Sequence, residues 1–188
     1  MSTIINIGRS FGSGGGFVGH SVAAKLGIPF YDNDLISKVA QEKGYAPSIF
    51  QGGVRKPSIF SVYDSFEDVL FQAQSEVIRS IALSGDAVFI GRCAGYILRD
   101  LPCLNVFVTG SMEYRIARLV ETEGLTEAEA EKLIGKKDHE RASYYNYYTL
   151  GEWGSASCYH LCLDSSVLGI EGTADYIIEF GRKAGLIK

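Results

Sequence analysis

Metal-binding residues are scarce in this sequence and wrongly spaced for a metal centre. Its four cysteines (Cys93, Cys103, Cys158, Cys162) include no C-x-x-C pair, and only three histidines (His20, His139, His160) accompany them. A structural zinc site needs four such ligands at short spacing. Reduced cysteines of a cytoplasmic protein are the expectation. No apolar run approaches the ~18 residues of a membrane helix. The chain opens on a strand-like burst followed by glycines, unlike a secretory signal, so no membrane partner is expected. Basic residues are outnumbered, 18 Lys+Arg against 22 Asp+Glu, for a net charge of −4. That balance argues against a nucleic-acid partner, although a local basic cluster facing a small anion stays compatible with it. Internal repeats and low-complexity linkers are also missing. The 188 residues are expected to form one domain, 1–188, with its own core.

The absence with most chemical consequence lies in a glycine loop. Ile4-Ile5-Asn6-Ile7 is apolar and strand-like, and Gly8, Gly12, Gly14, Gly15 and Gly16 follow within nine residues. A helix-like pattern (Val18, Val22, Ala23, Leu26) then begins. Strand, glycine loop and helix can fold a backbone around a phosphate, because glycines let successive N–H groups point inward and the helix N-terminus adds partial positive charge. A plain tight turn is the competing interpretation. The usual nucleotide loop, G-x-x-x-x-G-K-[ST], carries a lysine. Here the first lysine is Lys25, too far along the helix to serve. A second frame, Gly14 to Ser21 with His20 for the lysine, would make Phe17 and Val18 cradle the phosphate; a helix-surface His20 is preferred.

The remaining chain alternates strand-like and helical stretches, the pattern of an α/β fold with a mostly parallel sheet. Strands are expected over 2–7, 28–32, 87–90, 104–108 and 159–163. Helices are expected over 16–26, 33–43, 64–84, 114–122, 126–145 and 170–180. Phe66, Val69, Leu70, Ala73, Val77 and Ile81 form an apolar stripe on the long third helix,. Thr126 with Glu129 forms a capping box. The segment 44–63, containing Arg55 and Lys56, reads as a loop or flap.

Ligands of open parallel sheets lie beyond the carboxyl ends of the strands. Besides the glycine loop, two features fall there. Asp32 and Asp34 could hold Mg²⁺ or orient an acceptor, or Asp32 could simply cap a helix. Arg92 follows a buried strand and offers bidentate contacts to phosphate. A second cluster comprises Arg115, Arg118, Lys136, Lys137, Asp138 and Arg141. Arg115 and Arg118 share a helix face, as do Lys137 and Arg141. Two basic helices in an acidic chain suit an anion-clamping lid, with a solvated charged face as the alternative. The run Tyr144-Tyr145-Asn146-Tyr147-Tyr148 reads as packing or subunit contact before base stacking.

Together these residues resemble the cytidylate kinase-like family. The resemblance rests on Ile7-Gly8-Arg9-Ser10-Phe11-Gly12-Ser13-Gly14-Gly15, on Leu26-Gly27-Ile28-Pro29-Phe30-Tyr31-Asp32, and on Val88-Phe89-Ile90-Gly91-Arg92-Cys93-Ala94-Gly95. Lys137-Asp138-His139-Glu140-Arg141 and Leu163-Asp164-Ser165-Ser166 complete it. It implies a three-layer P-loop kinase fold, with a central parallel sheet flanked by helices and a helical lid over about 111–148. It further implies transfer of the γ-phosphoryl group of ATP to CMP or dCMP with Mg²⁺. By position, Gly12, Ser13, Gly14, Gly15 and Gly16 would hold ATP. Asp32 and Arg92 would face the acceptor, and Arg115, Arg118, Asp138 and Arg141 would act from the lid. Metal ligands are not assigned, and self-association is left open. In the family proper the loop carries a lysine and then a threonine; the registers place Gly15 and Phe17, or Gly16 and Val18, there. Arg9, Lys25 or a lid arginine is the expected substitute. A catalytically degenerate nucleotide-binding protein, or a kinase whose acceptor is chosen by the 44–63 segment, are the competing expectations.

Overall fold

The computed structural model describes residues 2–42 and 64–188. The expected flap with Arg55 and Lys56, and Lys43 at the end of the second helix, lie outside the described residues.

Strand β1 (Ile4–Arg9) is the centre of a five-stranded parallel sheet with β2 (Phe30–Tyr31), β3 (Ala87–Ile90), β4 (Leu104–Thr109) and β5 (Leu161–Asp164), in the order β2-β3-β1-β4-β5. Both faces are covered, so the strands are nearly continuous apolar runs. The two-residue side-chain period sorts them. Ile5, Ile7, Val88 and Ile90 pack under helices α1 (Gly15–Leu26) and α7 (Ser165–Lys183), against Val18, Val22, Ala174 and Ile177. Ile4, Ala87 and Phe89 face the other way, onto Val77, Ile78 and Ile81 of α3 (Asp64–Ser84). Helix α2 (Asn33–Glu42) adds Ile36 to that second core.

After a short helix α4 (Ala94–Ile97) and β4, helices α5 (Met112–Glu123) and α6 (Glu127–Thr149) form a hairpin around Leu119, Ala130 and Ile134, with Phe11 of the glycine loop packed against them. The capping box at Thr126 and Glu129 is formed.

Several boundaries differ from expectation for identifiable reasons. β1 continues two residues past Ile7, because Gly8 and Arg9 pair with Phe107 and Val108 of β4 after the ladder to β3 has ended at Ile7 and Ile90. α5 begins at Met112, where Ser111 Oγ accepts from Tyr114 N–H at 3.2 Å. α6 runs on to Thr149, its aromatic end held by Tyr148 stacked on Phe71 at 4.0 Å. β5 starts at Leu161, and Tyr159 is instead tilted against Phe107 before the strand. α7 starts five residues early, capped by Asp164, and is interrupted by the non-helical Gly169. Helix α4 was not expected. It follows three consecutive left-handed residues, Gly91, Arg92 and Cys93 (φ 71°, 54° and 55°), a turn that local sequence rules do not foresee for a non-glycine pair.

Candidate active site

The glycine loop leaves β1 at the carboxyl end of the sheet and enters α1. Its shape is held from inside. Ser13 is fully buried, and its Oγ reaches the carbonyls of Ser10 (2.9 Å) and Val108 (3.2 Å). Ser165 Oγ donates to the carbonyls of Ser13 (2.6 Å) and Thr109 (2.8 Å). Ser13 thus points into the protein and shapes the loop, whereas Gly12, Gly14, Gly15 and Gly16 line a cavity of about 400 Å³. Gly14 caps α1 at φ 75° without a side-chain hydrogen bond of its own, while Gly15 N–H, the first of the helix, donates to Ser13 Oγ at 3.3 Å. Helix α1 already spans Gly15–Leu26, which places Phe17 and Val18 inside it and removes the alternative Gly14–Ser21 frame. His20 is exposed, as expected, yet it borders this cavity, stacked on Phe30 at 3.8 Å.

Arg9 occupies the ground between the loop and β3. Two glycines make room for it. A Cβ at Gly15 would lie 2.5 Å from Arg9 Cβ, and one at Gly91 would collide with its guanidinium. Burial, then Arg141, then Arg92 pull the Arg9 pKa down from its ordinary value to about 9, with Asp32 opposing. Burial likewise lowers Arg141, whose Nη1 donates to the Arg9 carbonyl at 3.1 Å. Among the described residues, no carboxylate lies within ion-pair distance of Arg9, Arg92, Arg118 or Arg141. Four arginines without an ion-pair partner outweigh the nearby carboxylates Asp32, Glu123 and Glu140 and form a site suited to an anion,.

Two of the lid residues are placed differently from the rest. Arg115 is buried and ion-paired with Asp138. Its Nε donates to the Phe11 carbonyl at 2.7 Å, and Asp138 Oδ1 accepts from Phe11 N–H at 2.7 Å. The pair brackets the loop backbone and lines neither cavity. Arg118, from the same helix, does line the first cavity and lies 5.5 Å over the ring of Phe17. Lys25 is bound to Asp175 (2.5 Å) and Glu171 (3.0 Å) of α7, far from any lysine role in the loop. Asp32 borders the first cavity while its Oδ1 also caps α2 through Leu35 N–H at 2.9 Å, so both interpretations of it hold geometrically. Asp34 is exposed and lines neither cavity.

A second cavity of about 340 Å³ opens on the other side of Arg9. Arg92, Lys137 and Arg141 line it together with Glu140, Tyr144, Tyr145, Trp153 and Tyr159, and Arg92 lies 5.9 Å over the Tyr144 ring. Sequence reasoning assigned nothing to Asn6, Trp153 or Tyr159. The available signals were a polar residue inside an apolar strand and a single tryptophan among glycines. Among the described residues no group of three His, Cys, Asp or Glu side chains could hold a metal ion, and no helix is long and apolar enough to cross a membrane.

Comparison with known proteins agrees with this architecture. The model of the cytidylate kinase-like family matches residues 4–167. A cytidylate kinase of Aeropyrum pernix is 25% identical over 178 residues, covering 93% of this chain and 96% of that protein. The crystal structure of an uncharacterized protein from Eubacterium ventriosum superposes with a TM-score of 0.78 at 29% identity, covering 94% of this chain and 96% of the other. Shikimate kinase from Bacteroides thetaiotaomicron shares the fold at a TM-score of 0.59 and 15% identity, over 97% and 99% of the two chains.

Proposed function

The chain belongs to the cytidylate kinase-like family, and from that premise we propose that it is a nucleotide kinase moving the γ-phosphoryl group of ATP to CMP or dCMP. The observation that carries this reading is that Arg9, Phe11 and Arg141 border both cavities. Two ligands, one in each, would meet at two half-buried guanidinium groups, as in-line transfer requires,.

ATP phosphates in the first cavity would lie on the backbone N–H groups of the loop and the start of α1, with Arg118 on the lid side. An acceptor phosphate in the second would face Arg92 and Lys137. Arg9 then stands where charge builds on the moving group, in place of the missing lysine. Its position is fixed before the ligand arrives, so little reorganisation is needed at the moment of transfer. Phe11, held at its backbone by Arg115 and Asp138, fills the space between the cavities and excludes water. Mg²⁺ is usually held by one or two carboxylates together with substrate phosphates. Asp32 provides one such carboxylate on the wall of the first cavity, which fits that donor set. When bound, the ion would neutralise charge on the phosphate oxygens.

A binding protein without turnover is favoured by one specific feature, the exposed Phe17 at the position where one register puts the metal-holding threonine. An ADP-release assay with ATP, Mg²⁺ and each common nucleoside monophosphate separates the readings. Turnover with CMP or dCMP is expected. Binding of ATP and CMP by calorimetry with no ADP from any acceptor would replace the kinase by a binding protein.

A further inference from the structure

The floor of the second cavity carries a hydrogen-bonding group that the transfer reaction leaves unused. Asn6 sits mid-strand in β1, only 4% exposed, directly opposite Asn105 of β4. The orientation of both amides is determined by one backbone group. The Cys158 carbonyl can only accept, and Asn105 Nδ2 donates to it at 2.8 Å. Asn105 Oδ1 must then face Asn6, and it accepts from Asn6 Nδ2 at 2.5 Å. Asn6 Oδ1 is left over, buried and without a hydrogen-bond partner among the described residues, in a side chain that lines the cavity. A buried acceptor in this position calls for a donor.

Aromatic rings close over this face of the strand. Gly8 lies two residues further along the same strand face, between Asn6 and the level of Arg9. A Cβ there would press on Phe107 and Tyr159 at 3.0–3.2 Å. Tyr145, Trp153 and Tyr159 line the same cavity as Asn6, together with Arg92, Lys137, Arg141 and the carboxylate Glu140. The wall therefore combines aromatic faces, cations that attract an anion and, at Asn6, an acceptor that lacks a donor.

We infer that Asn6 determines acceptor specificity: the ring of the acceptor enters between Tyr145, Trp153 and Tyr159 and donates a hydrogen bond from an amino group to Asn6 Oδ1. This rests on the kinase reading and deepens it. The ligand class is a planar heteroaromatic monophosphate with an N–H donor at the end away from its phosphate.

Trp153 is the single tryptophan of the chain, so its fluorescence reports occupancy of this cavity. The test titrates CMP and 4-desamino-CMP, which differ only in the amino group. Wild-type protein is expected to bind CMP at least tenfold more tightly, with a saturable Trp153 signal. Asn6→Ala, checked for folding by its thermal transition, is expected to bind the two within about threefold of each other. Equal affinities in the wild type would overturn the inference without any variant, as would a discrimination that survives in Asn6→Ala. ADP formation from CMP with no change at Trp153 would overturn it while leaving the kinase reading intact. No Trp153 response to any nucleoside monophosphate would also overturn it, and silence in the ADP assay would then remove the kinase reading separately.

Discussion

Arg9 shows how one residue can be expensive for folding and necessary for binding. Its guanidinium is half-buried beside Arg141 and Arg92 with no ion-pair partner among the described residues. A buried, uncompensated charge destabilises the folded state, and an apolar side chain of similar length removes that cost. Arg9→Met is therefore expected to melt at the same temperature as the wild type or higher. The same change should weaken ATP binding by about 1.5–3 kcal/mol, the range of a charge-assisted contact. Differential scanning calorimetry and isothermal titration would measure the two effects, and a lower melting temperature with unchanged ATP affinity would make Arg9 a structural residue. The loop glycines divide in the same way. A Cβ at Gly15 strikes Arg9, and one at Gly14 strikes Ile170, whereas Gly16 has nothing within 4 Å. Substitution at Gly14 or Gly15 thus perturbs the protein as well as the ligand. Gly16→Lys is the clean probe. It should fold normally and tighten ATP binding by placing a cation on the wall of the first cavity; weaker binding would mean that Gly16 makes backbone contact with the phosphates.

At the scale of elements, the α5–α6 hairpin is fastened to the glycine loop by the pair Arg115–Asp138, which brackets both backbone groups of Phe11. The pair lies across 23 residues within the hairpin and more than 100 from the loop, so it joins elements rather than stiffening one. Asp138→Asn keeps an acceptor for Phe11 N–H but leaves Arg115 buried with its charge unpaired. The expected cost is about 3 kcal/mol, at the low end for a buried pair because Asp138 retains 20% side-chain exposure,. Chemical denaturation would measure it. A loss below about 1 kcal/mol would mean that the hairpin stays on the loop through Leu119, Ile134 and Phe11 alone. The tyrosines at the end of α6 also divide by neighbour. Tyr148 stacks on Phe71 of α3, and Tyr145 turns to the second cavity, so packing and site share one helical turn.

For the whole molecule, the decisive relation is between the two cavities, which share Arg9, Phe11 and Arg141. Ligands filling both at once should behave as one long polyanion. An adenosine–cytidine dinucleotide joined by five phosphates is expected to bind at least tenfold more tightly than ATP, because its second half binds at high effective concentration. Calorimetry would show this, and ATP and CMP should bind together in the same experiment. Mutual exclusion of ATP and CMP would mean a single anion site straddling Arg9. Basic residues away from the two cavities, Lys25, Arg79 and Lys183, are paired with carboxylates, while the four arginines of the site are not.

The sequence alone determined the order of the elements, the parallel sheet and the glycine loop, because these depend on periodicities and turn residues within a few positions of one another. It also placed Asp32 and Arg92 beyond strand ends, since strand ends are local signals. Only the tertiary structure decided which charges face a cavity. Arg115 and Arg118 share a helix face and a charge, yet one is turned onto Phe11 and Asp138 and the other onto the first cavity. Their neighbours come from elements distant in the chain. Asn6 is the sharpest case. Its meaning depends on register with Asn105, 99 residues away, and on a carbonyl at Cys158 that orients both amides. No window of sequence contains those three groups, and the hydrogen bonds that leave Asn6 Oδ1 without a partner exist only once β1, β4 and the segment before β5 are side by side.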